Sequence, residues 1–378
     1  PPALIEQEFS AQEWIPIPEP VLEALAIWRP TPLVRARRLE EALKVRSRIY
    51  YKNESVSPSG SHKSNTALAQ AYCNAQAGLR RLATETGAGQ WGTALAIAAR
   101  HFGLEIRVYM VKISLEQKPY RQVIMNLMGA EVIASPSSMT QAGRAALAKD
   151  PLNPGSLGLA ISEAVEEAAS RPDTNYSLGS VLNHVLLHQT VIGQEIRKQL
   201  AQAGEKPDFL VACHGGGSNF GGLAGPFVPD ILDGRKIKLL AAEPAACPTL
   251  TQGTFGYDYG DTARLTPLMP MYSLGTDFQP PAIHAGGLRY HGASPIVSSL
   301  IRSGLAEAQT VDAGEAFRYA RLMAQTEYII PAPESSHALA LTCRKALELE
   351  ALNDPKTLVF VLSGHGLLDL SAYEKAPD

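Results

Sequence analysis

The sequence predicts an α/β protein with open, mostly parallel sheets. Short apolar runs rich in β-branched and aromatic residues alternate with helix-like segments from residue 49 onward, the pattern of strands joined by crossover helices. Turns rich in glycine and serine follow several of those runs, where an open parallel sheet gathers its ligands. The chain has 378 residues, and at roughly 100 to 200 residues per domain that length predicts two domains.

Residues 1–35 come first, with Pro16, Pro18, Pro20, Pro30 and Pro32 in one stretch. So many prolines predict an extended arm along the body rather than a domain. Residues 49–52 then read as a short strand and residues 66–78, with their alanines and leucine, as a helix. Between them lies Ser57-Pro-Ser-Gly-Ser-His-Lys-Ser-Asn65, which sets Lys63 among small and polar residues. A lysine at such a strand-to-helix turn can form a Schiff base with an aldehyde cofactor once its amine is desolvated enough to be neutral. The competing reading is a solvated lysine at a helix start.

The next elements repeat the alternation. Residues 82–85 predict a strand, 86–90 (Thr-Gly-Ala-Gly-Gln) a loop, 91–102 a helix and 106–111 a strand. Ser114-Leu-Glu-Gln117 resembles a capping box, with Pro119 as an alternative helix start. That helix ends at Gly129 and a strand follows over 131–134. Residues 156–169 and 181–200 predict two long helices, the second carrying His184 and His188 one turn apart. Histidines at that spacing can share a metal, but no glutamate follows the first and no third ligand is near. Two packed histidines are the simpler reading.

A buried strand over 209–213 opens the second half and runs into His214-Gly-Gly-Gly-Ser-Asn219. Three glycines let the backbone turn tightly and present its N–H groups, and a helix starting there adds a terminus that favours an anion. This predicts a phosphate cradle, with a plain tight turn as the alternative. It lacks both the GxGxxG dinucleotide pattern and the lysine of a P-loop. Near the end, Glu334-Ser-Ser-His337 opens a helix, and a strand over 357–362 delivers Ser363-Gly-His-Gly366.

Composition excludes several classes. Hydrophobic residues make up 45% and charged residues 19%, and the net charge is -3, which gives nucleic acid no basic surface to bind. The four cysteines are far apart with no CxxC pair, so neither a disulfide framework nor a zinc site is expected. With no run of roughly 18 apolar residues, no membrane span is expected. A cytoplasmic location follows.

Lys63 asks for an aldehyde and the glycine loop for a phosphate, and pyridoxal 5'-phosphate carries both. The segments His62-Lys-Ser-Asn65, Glu85-Thr-Gly-Ala-Gly-Gln90, Gly215-Gly-Gly-Ser-Asn219, Glu334-Ser-Ser-His-Ala338 and Leu362-Ser-Gly-His-Gly366 resemble, in order, the motifs of the tryptophan synthase β chains. The likeness runs from about Arg29 to Leu368. The second, divergent type is the nearer match, through Gly87-Ala-Gly-Gln-Trp-Gly92, Gly179-Ser-Val-Leu-Asn-His-Val-Leu-Leu-His188 and Gly287-Leu-Arg-Tyr-His-Gly292.

The resemblance implies a fold type II pyridoxal phosphate enzyme. Such an enzyme has two three-layer α/β domains with the cofactor in the cleft between them, and is usually a homodimer. The expected division is 1–188 and 189–378, with a mobile substrate-closing subdomain at about 80–175 and part of 29–61 crossing into the other domain. Lys63 is then the Schiff-base lysine and proton carrier. Gly215, Gly216, Gly217, Ser218 and Asn219, with His62 and Asn65, hold the cofactor. Ser363 faces the pyridine nitrogen, where a neutral hydroxyl limits carbanion character and favours loss of the β-substituent. Glu334 lies near the ring. Thr86, Gly87, Ala88, Gly89 and Gln90 bind the substrate carboxylate, and Glu85 assists the leaving group and then indole. For Glu85 the alternative is a loop cap.

Arg289 stands where the commoner β chains carry an aspartate. An arginine cannot accept a hydrogen bond from a serine hydroxyl but can grip phosphate oxygens, so O-phospho-L-serine becomes a candidate donor beside L-serine. Tyr290 and Gly292 match positions whose carbonyls bind a monovalent cation, in a segment that departs from the commoner pattern. The expected reaction joins indole to the donor to give L-tryptophan. The alternatives are net β-elimination to pyruvate, a noncatalytic partner subunit that keeps the fold, and a nucleotide-binding oxidoreductase. A tryptophan synthase α chain is an expected partner only in part, because Arg289 disturbs the usual closure switch.

Overall fold

The computed structural model describes residues 1–281 and 283–376. Twelve strands occur among them: β1 Leu33–Arg35, β2 Arg48–Asn53, β3 Arg81–Thr86, β4 Glu105–Val111, β5 Glu131–Ser135, β6 Thr174–Tyr176, β7 Phe209–Cys213, β8 Lys238–Pro244, β9 Thr254–Tyr259, β10 Leu268–Ser273, β11 Ala306–Val311 and β12 Thr357–Leu362. They form a six-stranded sheet in the order β1-β2-β12-β7-β8-β11, a four-stranded sheet β5-β4-β3-β6 and a β9-β10 ribbon. The four-stranded sheet is wholly parallel, and in the larger one only the edge pair β1-β2 is antiparallel. The expected α/β architecture with mostly parallel sheets is therefore the observed one.

Helices cover both faces of the central strands, so those strands must be apolar throughout. All six residues of β12, Thr-Leu-Val-Phe-Val-Leu, are accordingly buried. The core of the larger sheet includes Ile49, Val211, Leu240, Leu358 and Phe360 packed against the helix Pro333–Ala351, with Leu339, Cys343 and Ala346 facing them. The smaller sheet packs Leu82 and Val108 against the alanine-rich helices Ser64–Gln76 and Gln90–His101. Small side chains let these helices approach closely.

Pairing across the chain positions the site. β2 lies beside β12 with Lys52 opposite Val361 and Asn53 opposite Leu362, although about 300 residues separate them in sequence. The segments that continue from these ends stay together: the His62 N–H donates to Ser363 O at 2.8 Å, and Ser61 bridges Gly364. Residues 49–52 thus belong to the sheet of β7, β8, β11 and β12, and the run of alternating elements is shared between two sheets.

The arm departs from the expected extended form. It contains the helices Pro2–Glu8 and Glu19–Leu25, each with proline in its first turn, where a missing N–H costs nothing. Arg29 locks its end to the body through Glu54 at 2.9 Å and Glu195 at 2.8 Å. The fully buried Lys52 joins the same cluster, 2.6 Å from Glu195 Oε2 and donating to Thr31 O and Gln199 Oε1. Burial pushes the Glu54 carboxyl upward, but Arg29, Thr31 and Lys52 outweigh it and hold the group at about 2.

Two further expectations are corrected. Residues 181–200 do not form one helix: Asn183–Gln189 and Val191–Gln202 are separate, divided at Thr190, whose hydroxyl donates back to Leu187 O at 2.6 Å. Ser114 is no cap, since it lies inside the helix Lys112–Gln117, and the next helix, Pro119–Leu127, starts at the proline. His184 and His188 are packed side chains. His184 Nδ1 donates to Glu8 Oε2 at 2.7 Å, and His188 meets Gln7 Oε1 and the Thr66 hydroxyl. Among the described residues no helix is long and apolar enough to cross a membrane.

Candidate active site

Lys63 sits where the chain turns from β2 into the helix Ser64–Gln76, and its Nζ donates to Gly179 O at 3.2 Å. Burial pulls the amine below the ordinary lysine range, while Glu85, Cys213 and Glu334 pull it partly back. A lowered ammonium pKa is the condition for a nucleophilic amine. The buried Ser57, Ser59, Ser61 and Ser64 hydroxyls tie the preceding turn together, including Ser57 Oγ to Ser61 O at 2.6 Å and Ser59 Oγ to Ser64 Oγ at 2.7 Å.

The glycine loop faces this lysine along the same cavity, which also receives Ser180, Glu334, Ser363 and His365. No side chain fits the loop. A Cβ on Gly215 would lie 2.6 Å from Gly287 O, one on Gly216 2.6 Å from Ser180 Oγ, and one on Gly217, at φ +114°, 2.7 Å from Ser294 Oγ. The first N–H groups after the turn have no acceptor within their own helix. Asn219 Nδ2 is buried without a partner. His62 closes one side, its Nδ1 donating to Ser363 O at 3.4 Å and its Nε2 accepting from the Ser218 hydroxyl at 3.3 Å. Burial and the neighbouring Lys63 drop its pKa to about 3, so it is a neutral hydrogen-bonding wall.

Ser363 Oγ lies 2.8 Å from Ser335 Oγ and 3.6 Å from Cys213 Sγ, and burial pushes that thiol up to about 12. No charge therefore adjoins the Ser363 hydroxyl from these two neighbours. Glu334 accepts from the Gly287 N–H at 2.8 Å through Oε1, and its Oε2 has no partner.

Glu85 is the last residue but one of β3 and is 3% exposed. Burial raises its carboxyl to about 7, a value suited to giving and taking a proton near neutrality. The nearby Tyr176 hydroxyl pulls the carboxyl part of the way back down, and among the described residues Oε2 has no hydrogen-bond partner within normal geometry. The loop of Thr86, Gly87, Ala88, Gly89 and Gln90 follows. Gly89 adopts φ +95°, and a Cβ there would lie 2.8 Å from Arg121. Thr86 Oγ1 accepts from the Gly92 N–H at 3.1 Å and fixes the turn into the helix.

Arg289 reaches this loop. Its Nη2 donates to Ser114 Oγ at 2.8 Å and it shares a small cavity with Gly87, Ser156 and Gly286. Among the described residues it makes no ion pair with a surface carboxylate.

Of the segment 85–90 only Gln90 lines the cavity at Lys63, Gly87 and Arg289 lining the smaller one beside it, and Asn65, Tyr290 and Gly292 have other engagements. Asn65 is engaged with Arg29, Glu54 and Gln189 at 2.9, 3.2 and 2.9 Å and does not line the cavity at Lys63. The Tyr290 carbonyl already accepts from Thr249 Oγ1 at 3.0 Å. Gly292 pairs with Ser273 beside the β9-β10 ribbon. Sequence reasoning missed Ser335, Tyr176, Ser180 and the Gly179 carbonyl. Ser335 had a signal, its place in the Glu334-Ser-Ser-His run; the others are brought in by tertiary contact alone.

A phosphorylated aldehyde fits this donor set: a desolvated amine, a turn of N–H groups too tight for any Cβ, an unpartnered Asn219 amide and a neutral hydroxyl pair opposite. Comparison with known proteins agrees. Residues 25–364 match the family described as pyridoxal-phosphate dependent enzyme. The chain is 62% identical over 373 residues to the tryptophan synthase beta chain 2 of Thermotoga maritima, covering 99% of this chain and 88% of that one. It is 57% identical to beta chain 2 of Aquifex aeolicus (99% and 87% covered) and 55% identical to that of Methanosarcina acetivorans (99% and 85%). Among solved structures, an L-serine ammonia-lyase from Rhizomucor miehei superposes with a TM-score of 0.68 at 19% identity, over 91% of this chain and 97% of that one. That likeness shows the fold alone. A fold type II site for pyridoxal phosphate and identities above one half along nearly the whole length lead to one assignment: the chain belongs to the tryptophan synthase β chain family, of the second type, within the pyridoxal-phosphate dependent enzymes.

Proposed function

We propose that this chain makes L-tryptophan by β-replacement, joining indole to the carbon skeleton of L-serine or O-phospho-L-serine. The observation that carries the reading is that Lys63, the glycine loop and Ser363, from three distant stretches of chain, line one cavity, with Glu85 near enough to Lys63 to raise its amine pKa. Pyridoxal phosphate, when bound, supplies an aldehyde for the donor amine and an electron sink for its α-carbon.

The remaining work falls to side chains. Gly215, Gly216, Gly217, Ser218 and Asn219 would hold the phosphate through N–H groups and the Asn219 amide, with His62 packed alongside. Lys63 Nζ carries the donor α-proton. Thr86 to Gln90 hold the donor carboxylate. Glu85, poised near 7, gives a proton to the departing β-substituent and takes one from the indole nitrogen as carbon 3 attacks. Ser363, backed by Ser335, would offer the pyridine nitrogen a neutral hydroxyl, which unlike a carboxylate does not keep it protonated.

Arg289 extends the reading to the donor. Its guanidinium lies beside the carboxylate loop and is committed only to the Ser114 hydroxyl, which leaves donors free for phosphate oxygens. O-phospho-L-serine is therefore the better donor. We further take the four-stranded sheet and its helices as the closing subdomain, with the chain acting as a homodimer. The test is product analysis of the purified protein with each donor, with and without indole. Tryptophan as the main product with indole present supports replacement, whereas pyruvate at an undiminished rate would assign the chain to β-elimination.

A further inference from the structure

Arg121 is a charge on a buried face. It is 2% exposed and shares the inward side of the helix Pro119–Leu127 with Met125, one turn further on. Met125 belongs to the apolar core of the four-stranded sheet. A guanidinium on that side needs a counter-charge, because an unpaired buried ion is costly. The counter-charge comes from the other sheet. Asp369 follows β12, is buried, and sets its Oδ2 3.4 Å from Arg121 Nη2. The buried Lys118 places its Nζ 2.6 Å from Asp369 Oδ1 and donates to His284 O at 3.3 Å. Among the described residues no other carboxylate lies within ion-pair distance of either cation.

The same arginine backs the loop that follows β3. Its stem lies against Gly89, where a Cβ would meet Arg121 Cβ, Cγ and Cδ at 2.8, 2.9 and 3.2 Å. Gly89 adopts φ +95° and opens the helix Gln90–His101, so the direction of the N–H groups at this turn depends on the surface beneath it. Asp369 is also close in sequence to the cavity at Lys63. His365, two residues past Ser363, lines that cavity. Burial and then the Arg121 charge pull its imidazole below the ordinary value, with Asp369 opposing. One carboxylate from the larger sheet thus holds the arginine on which the loop of the smaller sheet rests.

We propose that Asp369 is a positioning residue for the donor carboxylate: through Arg121 it fixes the loop of Thr86 to Gln90 in the shape that receives that group. Lys118 engages the other oxygen of Asp369 and keeps it in place. The inference rests on the function proposed above, which gives the loop its ligand.

Holoenzyme titrated with L-serine and with O-phospho-L-serine, in the absence of indole, reports donor binding through the cofactor absorbance. Asp369→Asn is expected to weaken both donors by about 10 to 10², the scale of a group moved by an ångström, and by the same factor, since both carry the carboxylate. Arg121→Met keeps a stem against Gly89 and leaves Lys118 paired with Asp369, so it strands no cation in the fold. It is expected to weaken both donors likewise. In turnover the donor KM should rise by that factor while kcat changes less than about threefold, the signature of lost binding rather than lost chemistry. Parent-like donor affinity in Arg121→Met, a fall in kcat at unchanged donor KM, or a loss confined to O-phospho-L-serine would each overturn the proposal. Unaltered variants beside a parent that binds donor remove only the role of Asp369. A parent that binds neither donor would remove the proposed function, and this inference with it.

Discussion

Ser363 and Ser335 meet hydroxyl to hydroxyl at 2.8 Å, one from the end of β12 and the other from the first turn of the helix Pro333–Ala351. Ser335 Oγ also accepts the Gly364 N–H at 3.0 Å, so its own proton can go to Ser363 or to Gly364 O. The pair presents the cavity at Lys63 with a neutral group fixed from two sides. Ser363→Asp puts a carboxylate there and is expected to keep the ring nitrogen protonated. Tryptophan formation should fall and amino-group transfer to the cofactor should rise, read as the ratio of tryptophan to keto acid. An unchanged ratio would separate Ser363 from control of the reaction.

Lys63→Ala removes the amine and the proton carrier together. Turnover should be abolished while the circular dichroism spectrum matches the parent, and borohydride should no longer trap cofactor on the chain. Near-normal turnover would refute the assignment of Lys63.

For Glu85 the sign follows from its raised carboxyl pKa of about 7. Proton donation to the serine hydroxyl needs the acid form, so loss of that hydroxyl should slow by about tenfold per pH unit above this value. Glu85→Gln should lack the limb and form tryptophan roughly 10² to 10⁴ times more slowly, with cofactor affinity little changed. A main effect on cofactor affinity would make Glu85 structural.

Arg289→Ala should lose O-phospho-L-serine activity selectively. The loss in kcat/KM is expected at roughly 10 to 10² for a charge-assisted pair, with serine nearly unaffected. Steady-state comparison of both donors decides this, and equal losses would remove Arg289 from donor choice.

The Arg29–Glu54 pair tests how the arm is anchored. Glu54 is held at about 2 in the folded chain against an ordinary 4.5, so its contribution is complete above the ordinary value and is lost as pH falls from there towards 2. Glu54→Gln leaves Arg29 and Lys52 short of a counter-charge and should cost about 3 to 5 kcal/mol at neutral pH. Urea unfolding of parent and variant measures it, and their difference should shrink in acid.

Local order in the sequence determined much of this protein. The alternation of strand and helix, the turn holding Lys63, the glycine loop and the polar run at Glu334 each depend on neighbours a few residues apart, and such patterns survive reading along the chain. The helix starting at Pro119 and the buried strand β7 were legible for that reason. Tertiary structure decided what those pieces meet. The family resemblance implied that Lys63 and Ser363 serve one cofactor, and the pairing of β2 with β12 supplies the physical reason, because a parallel partner is chosen by burial on both faces and its own sequence does not name it. Asn65, beside Lys63 in the chain, points instead into the Arg29–Glu54 cluster, since successive residues of a helix face different ways. Ser335 likewise emerges from hydrogen-bond accounting in three dimensions. A residue's type states what it can donate or accept, and the fold alone states what stands within reach.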